Sequence, residues 1–297
     1  MLRLFKGQKF RQDKLALIRY CEKVTDDYRR QGLRMTLRQL YYQLVTANVI
    51  RNEEKAYKNL GKLVSDARLA GRLDWDIIED RVRQPKSPPQ FDSLGDLIEA
   101  AISSYRLPRM DGQDCYVELW VEKDALAGVL APIARKYHAV LMVNRGYSSQ
   151  SAMMDAAQRL DRACRNDDGE VSRDATILYL GDLDPSMVRD IRDRLNMFLA
   201  GGYDIDAGRK TGDVKDAVLT SPCGQVIGRG DLTVPLEVEK LALTMDQVDE
   251  YQPPPNPTKL TDTRAKDFIA KYGYTSWEVD ALPPTVLRQI IETRFEE

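Results

Sequence analysis

The stretch "ATILYLGDLDPSMVRDIRDRLNMFLA", residues 175–200, decides how the second half of the chain reads. It opens on "ATILYL", a short apolar run of the kind buried on both faces of a parallel sheet. "PSMVRDIRDRLNMFLA" then reads as an amphipathic helix. Between them, Gly181 lets the backbone turn closely and Pro185 suits the first position of a helix. Asp182 and Asp184, two apart in an extended segment, project to one side. Two carboxylates held close repel unless neutralised, and no lysine or histidine lies between them. Oxygen ligands at a strand edge suit Mg²⁺, which keeps several waters and meets phosphate oxygens. For Asp184 the simpler alternative is a helix N-cap.

The same alternation extends back to residue 114. "CYVELWVE" is predicted as a strand, "KDALAGVLAPIARKY" as a helix, "AVLMVN" as a strand and "SQSAMMDAAQRLDRAC" as a helix. Strands and helices in this order imply an α/β domain with a mostly parallel sheet, placed at 113–250. Functional groups in such sheets gather beyond the C-terminal strand ends. Glu122 therefore joins Asp182 and Asp184 as a candidate metal ligand. Residues 230–250 read as mixed, and "YQPPPNPTK" (251–259) opens a C-terminal extension, 251–297, that ends in a helix. Glu237, Glu239, Glu278 and Asp280 are expected on solvated faces or against a partner.

Ahead of the sheet the charge changes sign. Residues 1–90 hold 20 Lys and Arg against 11 Asp and Glu, in a chain of net charge −2. A basic third joined to an acidic remainder suggests a nucleic-acid-binding module. Helices are predicted over 10–32, 37–47 with Thr36 as N-cap, and about 53–70, ending at Gly71. The third carries Lys55, Lys58, Lys62 and Arg68, and Arg34 stands just ahead of the second. "RLDWDIIEDRVRQ" follows as a strand or wing. Together these resemble a winged helix-turn-helix (CAP-like) domain at 1–85, its basic helix laid along double-stranded DNA. A linker and connecting helix fill 86–112, with three prolines in "RQPKSPPQF".

The second helix contains "TLRQLYYQLV", residues 36–45. Leu37, Leu40, Tyr41, Leu44 and Val45 form its apolar stripe, so Tyr41 is read as packing. Tyr42 lies about 100° round and shares a polar face with Arg38 and Thr46. A tyrosine nucleophile needs a neighbouring positive charge, because its pKa of about 10 keeps it protonated at neutral pH. Arg38 is placed to supply that charge and to engage phosphate.

Composition narrows the alternatives. The chain has 297 residues, four scattered cysteines without a CxxC pair and one histidine, His138. A zinc ribbon is excluded, the scatter argues against a disulfide framework, and any triad would have to use His138. No apolar run reaches the roughly 18 residues of a membrane span. The N-terminus lacks a signal-peptide core, so a cytoplasmic, DNA-associated protein is expected.

"VEKDA" after the first strand, "GDLDPS" after a later one and "TLRQLYY" ahead of both resemble the A subunit of type IIB DNA topoisomerases (topoisomerase VI) and the related meiotic double-strand-break protein. The resemblance covers residues 30–200 or so. It implies a Toprim domain with Mg²⁺ at Glu122, Asp182 and Asp184. It also implies attack by Tyr42 on a DNA phosphodiester, leaving a 5′-phosphotyrosyl link, with Arg38 and Glu122 assisting. A homodimer follows, because the family pairs the tyrosine of one subunit with the metal site of the other. "DPSMV" and "NRGYSSQ" depart from the family's pattern, and no P-loop is present. Strand passage would therefore require a separate ATPase subunit. Two further readings are a Toprim hydrolytic nuclease that does not use the tyrosine, similar to that of Wadjet-type plasmid defence, and a non-catalytic DNA-binding protein.

Overall fold

The structure is a computed structural model describing residues 2, 4–79, 90–105, 110–146, 148–184, 186–204, 218–223, 226, 233–257, 269 and 273–297. Three helices come first: α1 (Gln12–Arg30), α2 (Leu37–Thr46) and α3 (Glu54–Leu69). Thr36 starts α2 with a capping box, its hydroxyl accepting from Gln39 N–H at 3.2 Å while Gln39 Oε1 accepts from Thr36 N–H at 2.7 Å. Ile18, Leu40, Leu44, Leu60 and Leu63 form the core of this unit.

The expected wing takes a different form. Residues 72–78 run as turns with one isolated parallel bridge, Met35 to Ile78, and residues 80–89 lie outside the described residues. The proline linker falls largely there too. A connecting helix, α4 (Leu94–Ser104), follows without a buried residue.

The second half builds the sheet. β1 (Cys115–Val121) leads through a 3₁₀ turn (Asp124–Leu126) to α5 (Ala127–Tyr137) and β2 (Val140–Val143). Then come α6 (Gln150–Cys164), β3 (Asp174–Leu180) and α7 (Ser186–Leu199). A small antiparallel pair, β4 (Gly202–Asp204) with β5 (Val218–Thr220), precedes β6 (Leu236–Ala242) and α8 (Met245–Tyr251). β7 (Asn256–Pro257) pairs with β8 (Thr275–Ser276), and a 3₁₀ turn (Val279–Ala281) leads into α9 (Pro284–Glu296).

The main sheet is four-stranded and all parallel, in the order β2-β1-β3-β6. Side chains alternate across it as the strand period requires. Leu119, Val121, Leu178 and Leu180 pack with Leu130 of α5 and with Leu287 and Ile291 of α9. Trp120, Ile177 and Tyr179 pack against α6 and α7 through Met153, Leu160, Ile191 and Leu195. This is an α/β fold with an all-parallel sheet and N-terminal helices. The segment read as mixed at 230–250 holds the fourth strand, β6, and most of α8. The strand's polar members Glu237, Glu239 and Lys240 hid it from a search for apolar runs.

The C-terminal extension stitches the two halves together. Val279 and Leu282 belong to the sheet's core, while Ala281 belongs to the core of the N-terminal helices. Among the described residues, no helix is long and apolar enough to cross a membrane.

Candidate active site at the sheet edge

The strand order places a switch point between β1 and β3. The chain leaves β1 for β2 on one side and leaves β3 for β6 on the other. Crevices at such points, beyond the C-terminal strand ends, are where α/β sheets bind ligands. Glu122 follows β1 directly and Asp182 stands two residues past β3.

Both carboxylates face the Lys123 ammonium. Glu122 Oε2 accepts from the Asp182 backbone N–H at 3.1 Å and from the Tyr179 hydroxyl at 3.3 Å. Gly181 keeps the space between them, since a Cβ there would lie 2.5 Å from Tyr179 Oη. Lys123 Nζ stands 2.6 Å from Asp182 Oδ2 and 3.8 Å from Glu122 Oε1. Lys240 of β6 donates to the backbone carbonyls of Asp182 and Asp184. Burial, then the charge of Glu122, push the Asp182 carboxyl up to about 7. Burial opposes the charge on Lys123, but Asp182, Glu278 and Glu122 outweigh it and raise its pKa. Burial also brings Lys240 down to about 8.

Asp184 also has a local role, while its charge acts on Tyr179 and Lys240 of the same site. Its carboxylate caps the start of α7, accepting from Ser186 N–H and from the Ser186 hydroxyl, both at 2.8 Å. Among the described residues, no three His, Cys, Asp or Glu side chains gather in a metal-ligating cluster. Glu122 and Asp182 fit a hard divalent ion that takes two carboxylates and completes its shell with water and phosphate oxygens. Such an ion would displace the Lys123 ammonium from between them. Lys123, adjacent to Glu122 in sequence, supplies the neutralising charge that sequence reasoning assigned to a metal alone.

The tyrosine helix reaches the same edge through the C-terminal extension. Tyr42 Oη donates to Glu278 Oε2 at 2.7 Å, and Arg38 binds that same oxygen. Arg38 Nε also donates to Asp280 Oδ2 at 2.7 Å, and its guanidinium lies over the Tyr42 ring, 5.2 Å from the centroid. One residue on from Glu278, the Val279 N–H donates to Asp182 Oδ1 at 3.1 Å. Burial, then the bond to Glu278, hold the Tyr42 phenol above its ordinary pKa, with Arg38 only partly offsetting them. Burial works against the Glu278 charge, but Lys123 and Arg38 outweigh it and keep its pKa below the ordinary value.

These contacts correct two expectations. Tyr41 is buried as its stripe requires, its hydroxyl 3.0 Å from Asn52 Oδ1, but Tyr42 is equally buried at 5 % exposure. The extension covers Tyr42 on the face it shares with Arg38, while Arg38 stays partly open to solvent and Thr46 at its end is exposed. Glu278 and Asp280 are not solvated: Asp280 is 1 % exposed, and both hold Arg38. Glu278 stands just ahead of the 3₁₀ turn and Asp280 within it, so the strand-type spacing that singled out Asp182 and Asp184 does not apply to them. Of the other acids, Glu237 is exposed and Glu239 pairs with Arg294 at 2.9 Å. Tyr42 and Asp182 are thus linked within one chain, whereas the family resemblance sets the tyrosine against the partner's metal site.

The candidate DNA contacts divide. Arg34, Lys55, Lys58 and Lys62 are exposed, with Lys58 paired to Glu54 at 2.7 Å. Arg68 is a structural clamp, donating to the carbonyls of Trp75 (3.0 Å) and Ile78 and lying over the Trp75 ring. His138 stands at the C-terminal end of α5, in the left-handed conformation. Comparison of the chain with family models, with curated proteins and with solved structures finds no match.

Proposed function

We propose that the chain is a DNA-binding enzyme that cleaves phosphodiesters by transesterification, with Tyr42 as nucleophile, in the manner of a type IIB topoisomerase A subunit. One observation carries this reading: Tyr42, Arg38, Glu278, Lys123, Asp182 and Glu122 form one connected polar network at the sheet's switch point. The N-terminal helices act as the DNA-binding module of winged-helix type, presenting Arg34, Lys55, Lys58 and Lys62 to backbone phosphates. Arg38 stabilises charge at the scissile phosphate. Glu122 and Asp182 would hold a Mg²⁺ ion, which when bound neutralises charge developing on phosphate oxygens. A homodimer would set two such sites on opposite strands for a double-strand break, and strand passage would add a separate ATPase subunit.

The test is incubation with supercoiled DNA and Mg²⁺, followed by denaturing gels with and without protease. The wild-type chain is expected to leave protein on DNA 5′ ends, and Tyr42→Phe to leave none while still binding DNA. Adducts that persist in Tyr42→Phe would sink the assignment.

The burial of Tyr42 favours a second reading, in which it is a structural anchor and the same crevice supports hydrolysis by water. Cleavage by Tyr42→Phe with free 5′-phosphates would select it.

A further inference from the structure

The proposed attack leaves open where the phenolic proton goes. Tyrosine is a weak nucleophile until its proton has an acceptor, and an acceptor must lie within about 2.6–3.2 Å and be held in place by a third group. Glu278 Oε2 meets the distance, at 2.7 Å from Tyr42 Oη. Arg38 supplies the third group: it binds the same Glu278 oxygen, and its Nη2 stands 3.4 Å from Tyr42 Oη. Asp280, fully buried, fixes Arg38 from the Nε side. The Arg38 side chain is nevertheless 40 % exposed, and it lines a groove of about 470 Å³ with Tyr57, Trp75, Asp124 and Ala125. Of this cluster, Arg38 is the residue that lines the groove, so a phosphate there would meet its guanidinium first.

We infer that Glu278 is a catalytic residue of this site, the general base that takes the Tyr42 proton, with Arg38 and Asp280 as its positioning residues. The inference rests on the proposed tyrosine attack. As Tyr42 Oη forms its bond to phosphorus, its proton passes to Glu278 Oε2. The bond from phosphorus to the 3′ oxygen breaks, and that oxygen leaves with the electron pair and takes a proton from water. Transfer accompanies bond formation, because the resting phenol is a far weaker acid than the carboxyl group. The charged and titratable groups facing Tyr42 are Glu278 and Asp280 from the extension and Arg38 and Tyr41 from α2, with Lys123 acting on Glu278.

The experiment measures single-turnover adduct formation on supercoiled DNA with Mg²⁺, from about pH 7 to 9, for wild type, Glu278→Gln, Glu278→Asp and Tyr42→Phe. Glu278→Gln is expected to slow adduct formation by about 100-fold or more with DNA affinity kept. The ratio of its residual rate to the wild-type rate should climb with pH, tracking the phenolate, because the titration of Asp182 and Lys240 is common to both and cancels. A Glu278→Gln rate equal to wild type, or a slow rate with the wild-type pH profile, overturns the inference. Should Glu278→Gln fail to fold, Glu278→Asp decides: a rate whose ratio to wild type is independent of pH supports the base, and a ratio that climbs with the phenolate overturns it. Adducts from Tyr42→Phe, or none from wild type, overturn the underlying reading instead.

Discussion

The Val279 backbone N–H donates to Asp182 Oδ1 at 3.1 Å, so the edge of the parallel sheet is closed by a segment nearly a hundred residues further along the chain. Asp182 is thereby held by Val279 on one oxygen and by Lys123 on the other. Val279 opens a 3₁₀ turn, a position where proline is tolerated because its missing N–H is not needed within the turn. Val279→Pro is therefore expected to lose this bond in addition to the core packing that Val279→Ala also loses, the difference between the two being about 1.5–3 kcal/mol for a hydrogen bond to a charged group. Urea unfolding of Val279→Pro beside Val279→Ala, which keeps the N–H, measures it.

Arg38 joins two acids of the extension, pairing with buried Asp280 through Nε and with half-buried Glu278 through Nη2. Arg38→Ala is expected to destabilise the chain by about 2–3 kcal/mol, below the 3–5 kcal/mol of a fully buried pair because Arg38 is 40 % exposed. Asp280→Asn in the same background should recover part of the loss by removing the uncompensated charge. A double-mutant cycle in chemical denaturation tests both.

Gly181 faces Tyr179, whose ring carbons Cε1 and Cζ would lie 2.6 and 2.7 Å from an added Cβ. Gly181→Ala is expected to cost about 1–3 kcal/mol, the range for forcing extra volume into a packed site. Tyr179→Phe should not rescue it, because the ring carbons clash as well as the hydroxyl. Thermal unfolding of the single and double variants checks this.

The exposed cations and the clamped one should separate cleanly. Charge removal at Lys55 or Lys62 is expected to weaken binding to all DNA sequences and to lower the salt slope by about 1 for each phosphate left without its cation. Arg68→Ala should lower stability instead, since its guanidinium holds the carbonyls of the 74–78 turn. Salt titrations of DNA binding alongside unfolding curves distinguish the two classes.

Burial pushes the thiols of Cys21 and Cys164 up to about 12, while Cys223 is exposed with its pKa also raised. Alkylation requires the thiolate, so near pH 8 both buried cysteines stay protonated as well as covered. Iodoacetamide on the native chain is expected to modify Cys223 first, with Cys21 and Cys164 labelled only after denaturation. Peptide mass mapping over a labelling time course reads the order.

Local features were legible in the amino-acid order. Apolar runs at 115–121, 140–143 and 174–180 with helices between them made a parallel sheet the economical way to cover both strand faces. The Thr36 cap and the stripe through Tyr41 could be read because capping and helix periodicity act within one or two turns. Strand-end position singled out Glu122 and Asp182 in the same local way. What those groups touch was settled by packing between distant segments. β6 is recognised by pairing with β3, not by its own polar-rich pattern, and Asp184 turned out to cap α7. Tyr42 looked solvent-facing from its helix alone, yet a segment more than 230 residues away covers it. Glu278, Asp280 and Lys123 answer the charges of Arg38 and Asp182 by such contacts, and charge pairing across that separation leaves no periodic trace in sequence.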